Sequence, residues 1–138
     1  MYIIYNIYDY IVSLPFGHLQ DVTIWRLDGN QGPVCPGQQI SFQCTTVGSA
    51  AIAWRSTDFI GSNIVQIGFF DNEPLSTPKM SPAFPDTVAV LTSKGSRVLT
   101  SKLTVTVTSM NLNPSVTCIN EDHSNETTFS FHVIQIGM

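Results

Sequence analysis

Basic residues are scarce in this chain. Six Lys or Arg stand against ten Asp or Glu in 138 residues, giving a formal charge of −4 and a pI near 5.0. The cations are scattered, so there is no basic patch to suit nucleic acid or an anionic membrane as partner. Signatures of catalysis are missing as well. His18, His123 and His132 stand apart, and none belongs to a His-Glu-x-x-His or Cys-x-x-Cys pattern that holds zinc. Neither a Gly-x-Ser-x-Gly elbow nor a phosphate-cradling glycine loop occurs. Single acids and bases are present with nothing arranging them, so no enzyme, metal or cofactor is expected. Long hydrophobic runs are lacking too. Residues 1–16 are rich in Ile and Tyr but too short and too polar to cross a bilayer, so no direct membrane insertion by this chain is expected. Helical periodicity of useful length is also absent.

What is present is a strand pattern. An apolar content of 43% suffices for a core and is not that of a disordered chain. An opening strand is expected over 21–27, broken by Asp28-Gly29-Asn30-Gln31-Gly32, then a kinked edge segment over 33–37. Strands follow at 38–46, 50–56 and 64–70. Pro74, Pro78, Pro82 and Pro85 then crowd one stretch, and each lacks the amide donor of a ladder. That stretch reads as a loop replacing or shortening an edge strand. Residues 88–92 and 97–108 flank Lys94-Gly95-Ser96, which has hairpin-turn chemistry. Strands at 114–120 and 127–136 complete an all-β, two-sheet sandwich.

Three residues sharpen this reading. Cys44 ends the alternating run Ile40-Ser41-Phe42-Gln43-Cys44, Trp54 lies in Ala51-Ile52-Ala53-Trp54-Arg55, and Cys118 closes Val116-Thr117-Cys118. With Leu103-Thr104-Val105 and the lead-in Pro33-Val34-Cys35-Pro36-Gly37, the chain resembles an immunoglobulin-like domain of the variable or intermediate kind, over about residues 31–136. The resemblance implies an inter-sheet Cys44–Cys118 disulfide beneath Trp54, with Phe42, Leu103 and Val105 in the core. Such a bond closes a loop of roughly 75 residues, worth about 4.5 kcal/mol on the chain-entropy model. It persists outside the cytosol, which implies a secreted protein or an ectodomain. The alternative is two buried free thiols in an intracellular sandwich. Cys35 is left over, either as a buried free thiol or as half of a bond to another domain or chain.

The family pattern also has gaps here. Val116 stands where the family usually places a tyrosine, and all four tyrosines lie within residues 2–10. The glycine-rich bulge of antigen-receptor last strands is missing from 127–136, so a conventional antibody or T-cell receptor domain is not expected. The domain is placed at 21–138. Residues 1–20 are expected to be a leader-like or disordered segment, though 1–16 lack an early Lys or Arg and a small-x-small cleavage site. A misassigned start, the remnant of a preceding domain, and an ordered extra strand are the alternatives.

Strand parity separates two outer faces. With Cys44 inward, Gln39, Ser41, Gln43 and Thr45 face out, beside Lys102, Thr104, Thr106 and Thr108, so that surface carries no apolar side chain. With Trp54 and Cys118 inward, the opposite sheet presents Ala53, Ile119, Ile134 and Phe70, rimmed by Arg55, Glu121 and His132. An apolar centre with a charged rim is the anatomy of an interface. The expected partner is a protein or glycan ligand, a second copy, or neighbouring immunoglobulin-like domains, and the expected role is recognition, adhesion or receptor architecture. A spacer domain with a covered face is the alternative. Asn125-Glu126-Thr127 is the only acceptor sequence for N-linked sugar, since Pro114 excludes Asn113. Glu121, Asp122, His123 and Glu126 share that loop without the spacing of a calcium site.

Overall fold

The computed structural model describes residues 21–28, 32–57, 64–81, 84–107, 114–120 and 125–134. Among them nine strands form two antiparallel sheets: β1 (Val22–Arg26), β2 (Gln39–Val47), β3 (Ala51–Thr57), β4 (Ile64–Phe70), β5 (Lys79–Ser81), β6 (Phe84–Gly95), β7 (Val98–Thr106), β8 (Ser115–Asn120) and β9 (Asn125–Ser130). Their orders are β1-β2-β7-β6-β5 and β9-β8-β3-β4. The all-β sandwich expected from the sequence is the observed fold. Residues 1–20, Thr108 and Glu121 lie outside the described residues.

Alternation in β2 and β7 builds one wall of the core. Ile40, Phe42, Cys44 and Thr46 are buried, as are Leu99, Ser101, Leu103 and Val105 of the neighbouring strand. Their outward residues pair through hydroxyls, Ser41 with Thr104 and Thr45 with Thr100, both at 3.0 Å. The flanking strands of that sheet are less polar than its centre. They carry exposed Trp25 and Met80, and half-buried Val47 and Val98 face outward at the ends of β2 and β7, so the expected absence of apolar side chains holds only for the middle of those two strands.

The opposite wall comes from Ile52 and Trp54 of β3 with Val116 and Cys118 of β8. Cys44 and Cys118 form the disulfide, their Cα atoms 6.4 Å apart, within the usual span. Beside it the Trp54 indole Nε1–H donates to Ser101 Oγ at 2.9 Å, and that hydroxyl donates onward to the Val90 carbonyl at 2.7 Å. Ser101 is the cross-strand partner of Cys44, and Trp54 that of Cys118. Hence the two sheets are joined at adjacent positions by one covalent tie and one hydrogen bond. Farther along the core, the Phe42 ring lies 5.3 Å from that of Phe129 and 5.6 Å from that of Phe131. Such tilted aromatic contacts add to burial alone.

The first part of the chain contributes to both sheets. β1 pairs with β2, whereas Val34 forms a parallel bridge with Val133 beyond β9. A turn at Cys35-Pro36-Gly37-Gln38 leads into β2. Gly37 has φ 89° and the Gln38 N–H donates to the Cys35 carbonyl, a type II turn in which proline sets the second position and glycine the third. The β6–β7 hairpin turns on Ser96 and Arg97, at φ 52° and 60°, the primed geometry that suits twisted strands. Backbone bonds from Gly48 and Ser49 N–H to the Arg97 carbonyl hold that turn.

Several boundaries differ from the sequence reading, among them β6, which runs over Phe84–Gly95 rather than 88–92, and β9, which starts at Asn125 rather than 127. The proline-rich stretch retains a three-residue edge strand, β5, whose register with β6 shifts at Met80/Ser81. This is the shortened form of the edge. The last ladder ends at Ser130, because the chain then leaves β8 to meet Val34.

Ser101→Ala leaves the buried indole N–H without its acceptor and should cost about 1–3 kcal/mol. Urea denaturation of the disulfide-bonded protein checks this. An unchanged midpoint would show that the Trp54–Ser101 bond contributes nothing to holding the sheets.

Candidate recognition surface

β3 and β8 are central in the four-stranded sheet, so their outward side chains define its exposed face. Parity places Ala53 and Arg55 of β3 and Thr117 and Ile119 of β8 there, with Glu126 and Thr128 of β9 alongside. Arg55 pairs in register with Thr117, and Glu126 with Ile119. The Arg55 Nη2 donates to both oxygens of Glu126 at 2.8 Å. Because the two residues sit on opposite sides of β8, the ion pair crosses that strand diagonally. Thr117 and Thr128 hydroxyls meet at 2.8 Å in the next row. Both charged side chains remain partly exposed, so the pair is a solvated feature of the face rather than a strong source of stability.

This corrects the expected apolar centre. Ala53 is fully buried and Ile119 only 8% exposed, although both point outward. Phe70 and Ile134 are open, at 63% and 39%. They belong to opposite edges, Phe70 on β4 and Ile134 beyond β9, so they do not form one patch with Ile119. His132 is exposed on the β9 side, and its backbone carbonyl accepts from Val34 N–H. Arg55 is the expected rim residue that the structure brings into a defined contact. Its partner, Glu126, was read from the sequence only as part of an acidic loop.

Beside β4, the last strand of its sheet among the described residues, lies a groove of about 350 Å³ lined by Ala51, Gly68, Phe69, Phe70, Glu73 and Lys79, among others. Lys79 organises it. Its Nζ donates to the Gly68 carbonyl at 2.7 Å, lies 2.6 Å from Glu73 Oε1, and stands 4.7 Å from the centre of the Phe69 ring. Glu73 Oε2 in turn accepts the Phe70 N–H at 2.8 Å. The hydrogen bonds from Lys79 and from the Phe70 N–H hold the Glu73 carboxyl below the usual carboxylate range. Sequence reasoning missed this pair, because a lone Glu and a lone Lys among prolines give no periodic signal.

Elsewhere, Cys35 is a free and exposed thiol, which removes the buried-thiol alternative. Its N–H donates to Gln38 Oε1. Asn125, the sugar-acceptor candidate, is exposed at the first position of β9, and its side-chain amide donates to Asp21 Oδ2 at 2.6 Å. Arg26 was not singled out in the sequence, yet it is buried at 3% exposure. Its Nη1 donates to the Gly32 carbonyl at 2.8 Å. Its Nε lies 2.7 Å from Asp28 Oδ1 without a directed hydrogen bond, so that contact is Coulombic.

No protein-family model matches the chain, and no curated protein is significantly similar to it in sequence.

The Glu73 shift has a definite pH signature. A carboxyl whose folded-state value is depressed favours folding above its ordinary value of 4.5, and that contribution is lost as pH falls through the folded-state value. A carboxyl-detected NMR titration should therefore show Glu73 with a midpoint below that of an ordinary glutamate. Lys79→Ala should move it upward. A midpoint at the ordinary value would contradict the geometry of the pair.

Proposed function

We propose that this chain is an immunoglobulin-like recognition module of an extracellular protein. In this reading it contacts a protein or glycan partner through the outer face of the four-stranded sheet and the adjoining β4 edge. The observation that carries the reading is the contrast between the two faces. The five-stranded sheet ties its central outer residues together through hydroxyl pairs. The other sheet presents a part-exposed Arg55–Glu126 pair, with an open Phe70 beside a groove at its edge. Aromatic and arginine side chains are the residue types that most often anchor interfaces.

Several features support the family part of the reading. The cystine lies beside the indole of Trp54, and the first segment passes from one sheet to a parallel bridge with the last. A buried tryptophan against the inter-sheet cystine belongs to sandwiches of the immunoglobulin kind. The disulfide suits an oxidising compartment, and no helix among the described residues is long and apolar enough to cross a membrane. A second reading, a spacer within a longer adhesive or receptor protein, is favoured by exposed Trp25 and Leu27 on and just after β1. Neighbouring domains would cover them.

Dimeric fusions of the folded, oxidised chain applied to receptor and glycan arrays should show saturable binding. Arg55→Glu and Phe70→Asp, both at exposed or part-exposed positions, should each weaken it by at least about tenfold while leaving the unfolding midpoint nearly unchanged. A folded chain that binds nothing on either array would remove the recognition reading and leave the spacer.

Expression through a eukaryotic secretory route should yield a species whose mass falls on amidase treatment, and Asn125→Gln should abolish that shift. Secreted protein of unmodified mass would show that Asn125 is not an acceptor.

A further inference from the structure

We propose that Trp25, Gln43 and Lys102 form a carbohydrate subsite on the outer face of the five-stranded sheet, and that its ligand is a saccharide bearing a uronate carboxylate. The polar side chains of that face mostly satisfy one another. Across β2 and β7, Gln39 Nε2 donates to Thr106 Oγ1 at 3.4 Å, and the Ser41–Thr104 and Thr45–Thr100 hydroxyls each meet at 3.0 Å. The Gln43–Lys102 pair lies in register between the two hydroxyl pairs and is the exception among these polar rows. Among the described residues, neither the Gln43 amide nor the Lys102 ammonium has a hydrogen-bond or ion-pair partner. Their row continues into β1, where Trp25 is the cross-strand neighbour of Gln43. Trp25 is 40% exposed, and its indole N–H likewise has no acceptor among the described residues.

Each member of the row fits one part of such a ligand. A pyranose ring has an apolar C–H face, and an indole is a broad surface with a polar edge on which that face packs. The Gln43 amide both donates and accepts, so it matches a sugar hydroxyl, which does the same. Lys102 is the only charged side chain on the outward rows of β1, β2 and β7, so a carboxylate meets a cation there with no acidic neighbour on those rows. Two inter-strand steps separate β1 from β7, a distance of about 10 Å. That reach suits a disaccharide with one ring on Trp25 and the carboxylate of the next at Lys102. The row fits a protein partner less well. The centre of a protein interface is apolar and poor in charge, whereas here one aromatic side chain stands beside an amide and an ammonium. The subsite lies on the sheet opposite the Arg55–Glu126 face and is independent of a partner there.

The test is an NMR titration of the folded, oxidised chain with a tetrasaccharide of alternating glucuronate and N-acetylglucosamine. It follows the two indole N–H signals and the backbone amides of Gln43 and Lys102. The Trp25 indole and both amides should shift saturably with a Kd of about 1 mM, while the indole of Trp54, bonded to Ser101, stays in place. Trp25→Ala and Lys102→Gln should each weaken binding at least about tenfold, read from the remaining amides. The same sugar with its carboxylates reduced to alcohols should bind the wild type about tenfold more weakly, and Lys102→Gln should weaken it no further. Should near-ultraviolet dichroism show that Trp25→Ala does not fold, Lys102→Gln and the reduced sugar carry the test. No saturable shift of the Trp25 indole up to about 10 mM sugar, or a reduced sugar that binds as tightly as the acid, would overturn the proposal. These signals belong to the five-stranded sheet, so the outcome is separate from that of the Arg55 and Phe70 variants.

Discussion

The sandwich depends on a pair of ties across its interior. Cys44 and Ser101 are neighbours on one sheet, and Cys118 and Trp54 are neighbours on the other. The sulfurs of one diagonal set are bonded, and the indole N–H of the other set donates to the serine hydroxyl. A single cross-link would let the sheets pivot about it. Two adjacent links, one covalent and one directional, resist rotation as well as separation. They also fix which residues of the four central strands point inward, and so which point out. The disulfide closes a chain separation of 74 residues, long enough to restrict the unfolded state substantially. The serine contributes differently, by satisfying a donor that burial would otherwise strand.

With the centre tied, the remaining structural problem lies at the sides. An open sandwich has exposed edges, and this one treats its two sides unlike each other. On the β1–β9 side the sheets are joined by the chain itself, through the Val34–Val133 bridge and the Thr127 hydroxyl reaching the Val22 carbonyl at 3.3 Å. Asn125 and Asp21 close the same side. On the β4–β5 side no strand crosses among the described residues. There the gap is spanned by Lys79, which reaches from the short edge strand of one sheet to the Gly68 carbonyl of the other. A backbone seam is permanent, whereas a salt-bridged side chain is removable.

Much of this architecture was legible because strands alternate with a period of two and turns use a narrow chemistry. Pro36-Gly37 marked a turn whose backbone angles the structure displays, whereas Lys94-Gly95-Ser96 marked the hairpin slightly early, since Lys94 and Gly95 still pair in β6 and the turn lies on Ser96 and Arg97. Cys44, Trp54 and Cys118 marked inward positions. What parity could not supply was depth. Ala53 and Ile119 face outward as expected, but an alanine between strands is low, and Ile119 lies beside the Arg55–Glu126 pair. Partner choice was equally hidden. Glu126 and Arg55 are separated by 71 residues, and only the β8–β9 register sets them across one strand from each other. Ser101 was invisible for a related reason, since a small polar residue in an apolar run carries no sign that an indole will need it.

The corrected face changes what recognition would require on the proposed reading. An apolar centre would favour contact through burial, with little demand on the partner's chemistry. A face crossed by an ion pair, in which one guanidinium nitrogen serves both carboxylate oxygens, asks for more. Covering Arg55 and Glu126 strips both of water, and only a partner that supplies compensating donors and acceptors offsets that cost. Charges arranged in this way contribute to selectivity more than to raw affinity. The apolar contribution would then come from Phe70, on a separate edge and next to a groove whose polar walls are Glu73 and Lys79. A ligand engaging both regions would have to reach from β9 across β8 and β3 to β4, the full width of the sheet. That span favours an extended protein surface over a compact small molecule, and it places the β4 edge inside the footprint.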